Sequence, residues 1–152
     1  MYPIRFITVG RPKLEGIRPL ESHYRDLMKG YCRLEVLEIP EGHGGLERQL
    51  KEEGERIRQL FTNIQCPVLL DAQGPPRTSE AFAAWLGARM DRGESLAFAI
   101  GSSHGFHPSL KDVVPQRLSL SSMTFPHDLS RVLFLEQLYR CFTILRGKTY
   151  HK

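Results

Sequence analysis

The chain of 152 residues carries 21 Lys and Arg against 17 Asp and Glu, a net charge of +4, and is 41% apolar and 25% charged; this is one ordinary globular domain's worth, residues 1–152, with the mild basic excess that suits a polyanionic partner without requiring one. Its three cysteines, Cys32, Cys66 and Cys141, are odd in number and in no C-x-x-C pair, which argues against a disulfide framework or structural zinc and for a reducing, cytoplasmic setting. No window approaches the roughly 18 apolar residues of a membrane span, and residues 1–5 open no signal-peptide pattern, so neither export nor membrane insertion is expected.

In chain order, the β-rich run 4–9 ends at Gly10 and is broken by Arg11-Pro12-Lys13, which places a first strand there. A helix is expected over 17–28, closing at Gly30. Leu34, Val36, Leu37 and Ile39 make the second strand, stopped by Pro40 and the glycine loop 42–45, which lacks the G-K-[ST] ending of a phosphate-binding P-loop. Residues 46–61 set Leu50, Ile57, Leu60 and Phe61 among dense Glu, Arg and Lys, the pattern of a solvated amphipathic helix. Val68-Leu69-Leu70-Asp71 reads as a strand buried on both faces. Ser79 is expected to cap a helix running to about residue 90, with Glu80 favoured in its first turn. Residues 96–100 form the next buried strand, and Gly101-Ser102-Ser103-His104-Gly105 the loop at its end.

Alternation of Leu118 and Leu120 with Ser119 and Ser121 predicts a last strand. Beyond the loop 122–126, Leu129, Val132, Leu133, Leu135, Leu138, Phe142 and Leu145 recur at helical spacing, with Gly147 supplying a C-terminal stop. This helix is apolar around most of its girth, so it should lie between its own sheet and either a further layer or a second subunit.

The order of elements predicts an α/β domain, a mostly parallel sheet with helices on both faces. Ligands of such sheets bind outside the carboxyl ends of the strands, which singles out Leu70-Asp71, Ile100-Gly101 and Leu120-Ser121. His104 and His107 sit on a glycine-proline loop without an acidic or thiol partner nearby, and no metal is expected there. His127 falls in the first turn of the last helix, where a positive charge is slightly disfavoured, and that cost makes a functional role more credible than a bystander one. Arg131 and Arg140 either pair with Glu136 or hold phosphate, which guanidinium forks suit. Tyr150 and His151, next to the terminus, would by default be disordered.

The run Met123-Thr124-Phe125-Pro126-His127, followed by Arg131-Val132, Glu136-Gln137-Leu138-Tyr139-Arg140 and Gly147-Lys148-Thr149-Tyr150-His151-Lys152, resembles the C-terminus of the RlmH family, SPOUT-class methyltransferases acting on a pseudouridine of 23S ribosomal RNA. The Val9-Gly10, Leu70-Asp71 and Ile100-Gly101 junctions fall in that family's order, so the resemblance spans the chain. It implies a deep C-terminal trefoil knot, a homodimer, and transfer of a methyl group from S-adenosylmethionine to N3 of the pseudouridine in the ribosome, with no metal. It also implies that Leu70, Gly101, Leu120, Ser121, Ser122, Met123, Thr124 and Phe125 hold the cofactor. Tyr150, His151 and His127 become the catalytic candidates, and Arg131, Arg140 and Lys152 the RNA contacts. The family usually has two consecutive glycines where this chain has Gly101-Ser102. Two rivals remain open: a SPOUT-like enzyme acting on transfer RNA, and a catalytically silent RNA-binding protein.

Overall fold

The computed structural model describes residues 1–152. Five parallel strands, β1 (Tyr2–Val9), β2 (Cys32–Ile39), β3 (Cys66–Leu70), β4 (Leu96–Ile100) and β5 (Arg117–Leu118), form one sheet in the order β2-β1-β4-β3-β5. The connections carry α1 (Ile17–Met28), α2 (Leu46–Leu60), α3 (Ser79–Asp91) and α4 (Pro108–Val113), and α5 (His127–Leu145) follows the last strand. Because successive strand residues point to opposite faces, β1 and β4 each feed two cores. Ile4, Phe6, Leu96, Phe98 and Ile100 meet Met28 of α1, Phe82 and Leu86 of α3, and Phe134, Leu135 and Leu138 of α5. On the other face Ile7, Val9, Ala97 and Ala99 meet Ile57 of α2, Leu110 of α4 and Phe106 of the loop before it. The rings of Phe6 and Phe98 lie 4.7 and 4.9 Å from that of Phe134. Each such side chain contributes about 1.5–3 kcal/mol by burial.

The wide apolar girth of α5 is absorbed within the chain: it packs on the sheet and against both α1 and α3. Apolar exposure on it is confined to its ends, at Leu129 and Leu145. Gly147, at φ 62°, lets the helix end in a double turn, with Gly147 N–H on the Ile144 carbonyl and Lys148 N–H on the Thr143 carbonyl.

Three local expectations are corrected. The cap of α3 is Thr78, whose hydroxyl accepts from the Ala81 N–H, while Ser79 Oγ donates to Gln137 of α5 at 2.6 Å. A short helix, α4, stands between β4 and β5, capped by His107 and opened by Pro108; six residues are too few to print a periodic stripe. The last strand is two residues long rather than reaching 121, because β3 stops at Leu70, opposite Leu118. Past a single bridge between Ser119 and Pro76 the backbone leaves the sheet.

Candidate active site

A cavity of about 500 Å³ opens at the carboxyl ends of β3, β4 and β5, where the sequence placed a ligand. Leu70, Gly101, Leu120, Ser121, Met123, Thr124 and Phe125 line it, as does His127; of the expected cofactor residues only Ser122 stands outside the wall. The volume lies within the roughly 300–1,000 Å³ of small-molecule sites. The chain freed from the sheet after Ser119 makes one wall. It is pinned by Ser119 Oγ donating to the Ser121 carbonyl at 2.7 Å and Ser121 Oγ accepting from the Met123 N–H at 2.9 Å. The opposite wall is the loop after β4, which bridges on itself from Ser102 to Gly105. A Cβ at Gly101 would stand 2.6 Å from the Gly105 carbonyl oxygen. Glycine is therefore required by the loop's own closure.

Two side chains in the lining are titratable, His127 and Asp71. His127 Nε2 is buried with no hydrogen-bond partner. Burial, and then the neighbouring Arg131 charge, hold its pKa below the ordinary value, so the ring stays neutral at physiological pH. Asp71 closes one of the three strand ends singled out in the sequence, without a role of its own there. Its Oδ1 accepts from the Gln73 N–H at 3.0 Å, whereas Oδ2 is buried without a hydrogen bond, 3.6 Å from Lys111 Nζ. The Lys111 charge is what compensates that buried carboxylate oxygen. Pocket membership of this kind is invisible in sequence, where Asp71 looks like any turn residue.

Arg131, expected at the RNA, is sealed inside the chain. Its side chain is 0% exposed, with Nε on Glu21 at 2.6 Å, Nη2 on Glu38 at 2.8 Å and Nη1 on the Gly10 carbonyl at 3.0 Å. The fork is fully committed inside the protein, to partners from α1, β2 and the end of β1, and not to Glu136. One turn earlier, Asp128 accepts from the Lys13 and Leu14 N–H groups at 2.8 and 2.7 Å. Together the first two turns of α5 clamp the loop after β1.

The tail is ordered by contacts and does not hang free. Arg140 pairs with Glu136 at 2.6 Å, as one sequence reading had it, and lies 4.8 Å above the Tyr150 ring. Tyr150 donates to Glu136 at 3.1 Å and meets Tyr139 edge-on at 4.8 Å. Burial, reinforced by the Glu136 charge, pushes its pKa up to about 12, so it acts as a donor and not as a base. His151 contacts Arg140 through Nδ1 at 3.1 Å and Glu80 through Nε2 at 2.6 Å. Arginine can only donate, so Nδ1 accepts and the proton sits on Nε2. Lys152 is exposed. None of Arg140, Tyr150, His151 and Lys152 lines the cavity of its own chain.

A doubly covered parallel sheet with a carboxyl-end cavity walled by irregular backbone is an α/β scaffold with a small-molecule-sized site. Residues 2–151 match the family model described as "Predicted SPOUT methyltransferase", and the chain belongs to that family. It is 36% identical over 150 residues, 97% of this chain and 98% of the relative, to the "Ribosomal RNA large subunit methyltransferase H" of Geotalea uraniireducens. It is 35% identical over 153 residues to the protein of the same name from Caldicellulosiruptor saccharolyticus, covering 98% and 99%. Among solved structures, a probable methylase family protein from Haemophilus influenzae superposes at a TM-score of 0.57 with 12% identity, covering 98% of this chain and 70% of that one. A probable methyltransferase from Bordetella pertussis does so at 0.57 with 9% identity, covering 93% and 96%. No helix is long and apolar enough to cross a membrane, and no group of three or more His, Cys, Asp or Glu is placed to hold a metal.

Proposed function

We propose that residues 1–152 act as a single cytoplasmic domain that methylates N3 of a pseudouridine in 23S ribosomal RNA, with S-adenosylmethionine as donor. The observation that carries the reading is the cavity wall: a motif run picked from sequence, 120–125, and two distant strand ends, Leu70 and Gly101, meet around one space of about 500 Å³. That space suits the donor's chemistry. Apolar Leu70, Leu120 and Phe125 can sandwich a flat base, and backbone groups of 120–125 can meet its polar edge. The bound donor supplies an electrophilic methyl group on a sulfonium. The protein's work is then to position the nucleophile and relieve N3 of its proton.

His127, neutral at the cavity wall, is one group able to take that proton. His151 is the other, once it leaves Glu80 and Arg140. Since the tail packs on α5 and α3 away from its own cavity, Tyr150, His151, Arg140 and Lys152 serve a cavity only by rearranging on substrate or by reaching across to a second subunit. A homodimer gives the second route. Leu14, Leu20 and Leu129 are exposed, and the Leu14 N–H is held by Asp128 next to Leu129. A two-fold contact over that patch would bury them.

The test is methyl incorporation from labelled donor into intact ribosomes and into isolated transfer RNA. Label in ribosomal RNA alone supports the reading; label in transfer RNA alone favours the rival enzyme. Absence of donor binding by calorimetry at millimolar concentration favours the silent RNA binder. Sedimentation at micromolar concentration showing only a monomer would remove the dimer.

A further inference from the structure

At the amino end of the sheet, where α1 turns into the edge strand β2, an open recess of about 410 Å³ is lined by Arg25, Lys29 and Arg33 together with Cys32 and Leu34, and by no carboxylate. Arg25 and Arg33 are exposed, and neither lies within ion-pair distance of a carboxylate. Lys29 meets Asp26 at 2.7 Å, but the two side chains are 78% and 66% exposed, and an ion pair so wet contributes little and can exchange its partner. Glu35, further along β2, is held by Arg5 at 3.0 Å. A fourth cation reaches the same turn from the other end of the chain. The guanidinium carbon of Arg146, just past α5, stands 5.2 Å from the ring centroid of Tyr31. That ring is also stacked on Phe142 at 5.7 Å and meets Tyr139 edge-on at 5.9 Å, so Tyr31 has no bare face to offer. Basic residues near a helix C-terminus complement its dipole, which accounts for Arg25 and Lys29 but not for Arg33 on the strand or Arg146 beyond α5.

We infer that this corner grips the phosphates of a double-helical segment of the substrate RNA, an inference that rests on the RNA-methyltransferase reading above. Exposed guanidinium and ammonium groups with no partner of their own suit phosphate oxygens, which position a nucleic acid without reading its sequence. An unpaired strand is gripped through ring faces on which its bases stack, and the ring at this turn is already covered on behalf of Phe142 and Arg146. A duplex keeps its bases inward and presents phosphates, which is what four cations can use. Distance sets the size of the partner. β1 runs eight residues from this corner toward the cavity end, so the two lie at least roughly 25 Å apart. A short loop carrying only the target nucleotide cannot touch both, whereas a folded RNA with a helix beside that loop can. The corner therefore adds affinity for a large structured substrate and takes no part in holding the donor or moving the proton.

The experiment uses the full chain with a duplex RNA titrated over a range of salt, and then with ribosomes as methyl acceptor. The double variant Arg25→Glu, Arg33→Glu should weaken duplex binding about tenfold or more and make the salt dependence shallower by about two phosphate contacts. With ribosomes it should raise KM by a similar factor while kcat and donor affinity stay at wild-type values, a split that a damaged fold would not give. Arg25→Gln, Arg33→Gln removes the charges without reversing them, and should flatten the salt dependence equally with a smaller loss of affinity. Lys51→Glu, Arg77→Glu makes the same change in net charge at side chains exposed elsewhere and should leave duplex affinity near wild type. Wild-type affinity and salt dependence in both Arg25, Arg33 variants, or equal losses in the Lys51, Arg77 control, overturns the corner. A fall in kcat or donor affinity that accompanies the rise in KM also dismisses it while leaving the methyltransferase reading intact. If the wild type transfers no methyl group, that reading falls and the duplex titration still decides the corner.

Discussion

Gly101→Ala is a small change with a large expected effect. The added Cβ would lie 2.6 Å from the Gly105 carbonyl oxygen and 3.0 Å from its carbon. Real Cβ contacts do not come that close, and the obstacle is backbone, which cannot rotate out of the way. The loop has to open by roughly 0.5–1 Å or the strand end has to shift, at a cost of about 1–3 kcal/mol by the measure of overpacked sites. If the loop opens, rebinding the donor must reclose it, and the same free energy appears as a loss of about 5- to 150-fold in affinity. If instead the closed loop stays strained, the melting temperature falls by roughly 2–4 °C per kcal/mol for a chain of this size. Calorimetry with S-adenosylmethionine and a thermal scan read both. Gly105→Ala is the control: its Cβ meets nothing within 4 Å, but φ of +80° imposes about 1–2 kcal/mol of left-handed strain, so it should lower the melting temperature with little steric effect on the cavity. Wild-type affinity together with an unchanged melting temperature in Gly101→Ala would refute the argument that loop closure shapes the site.

The remaining predictions concern charge. Arg131→Met leaves Glu21 and Glu38 to Arg18 alone and the Gly10 carbonyl without its side-chain partner and should cost about 3 kcal/mol in urea unfolding; a loss under about 1 kcal/mol would mean the cluster is slack. Burial tends to raise the Glu38 pKa, but hydrogen bonds from Arg18 and Arg131 outweigh it and hold it below the ordinary carboxylate value. Its contribution to stability is therefore complete above the unfolded value of about 4.3 and is lost as pH falls through the folded value. Urea midpoints should drop below about pH 4.5, and less steeply in Arg131→Met than in wild type; parallel curves would contradict the linkage. Asp71→Asn removes the carboxylate charge that faces Lys111 at the cavity wall and should weaken binding of the cationic donor about tenfold; unchanged affinity would exclude Asp71 from the site.

The parallel sheet was legible because Val68-Leu69-Leu70 and the 96–100 run are apolar at every position, which only strands covered on both faces can afford, and because turn residues punctuate them. α1 and α5 were legible from periodicity. The crossing of distant strand ends at one cavity was legible through the motif run 120–125. What stayed hidden depends on three-dimensional neighbours. Arg131 and Arg140 look alike in sequence, yet one is sealed against Glu21 and Glu38 and the other lies half-exposed on Glu136. The girth of α5 left a further layer and a second subunit equally open, and only the fold shows that α1 and α3 supply a layer. Asp71 draws its setting from Lys111, forty residues further along the chain.

The most direct test of the account is methyl transfer to ribosomes by the chain lacking residues 150–152, set beside its donor affinity. Tyr150 and His151 touch Glu136, Arg140 and Glu80 and line no part of their own cavity, so donor affinity should stay within about twofold, well under the 1.4 kcal/mol of a tenfold change. Methylation should be nearly eliminated, and nucleoside analysis of wild-type product should find the label on N3 of pseudouridine in 23S ribosomal RNA. Full methylation by the truncated chain would contradict a catalytic tail and leave His127 as the base, and label on any other nucleoside would contradict the central claim.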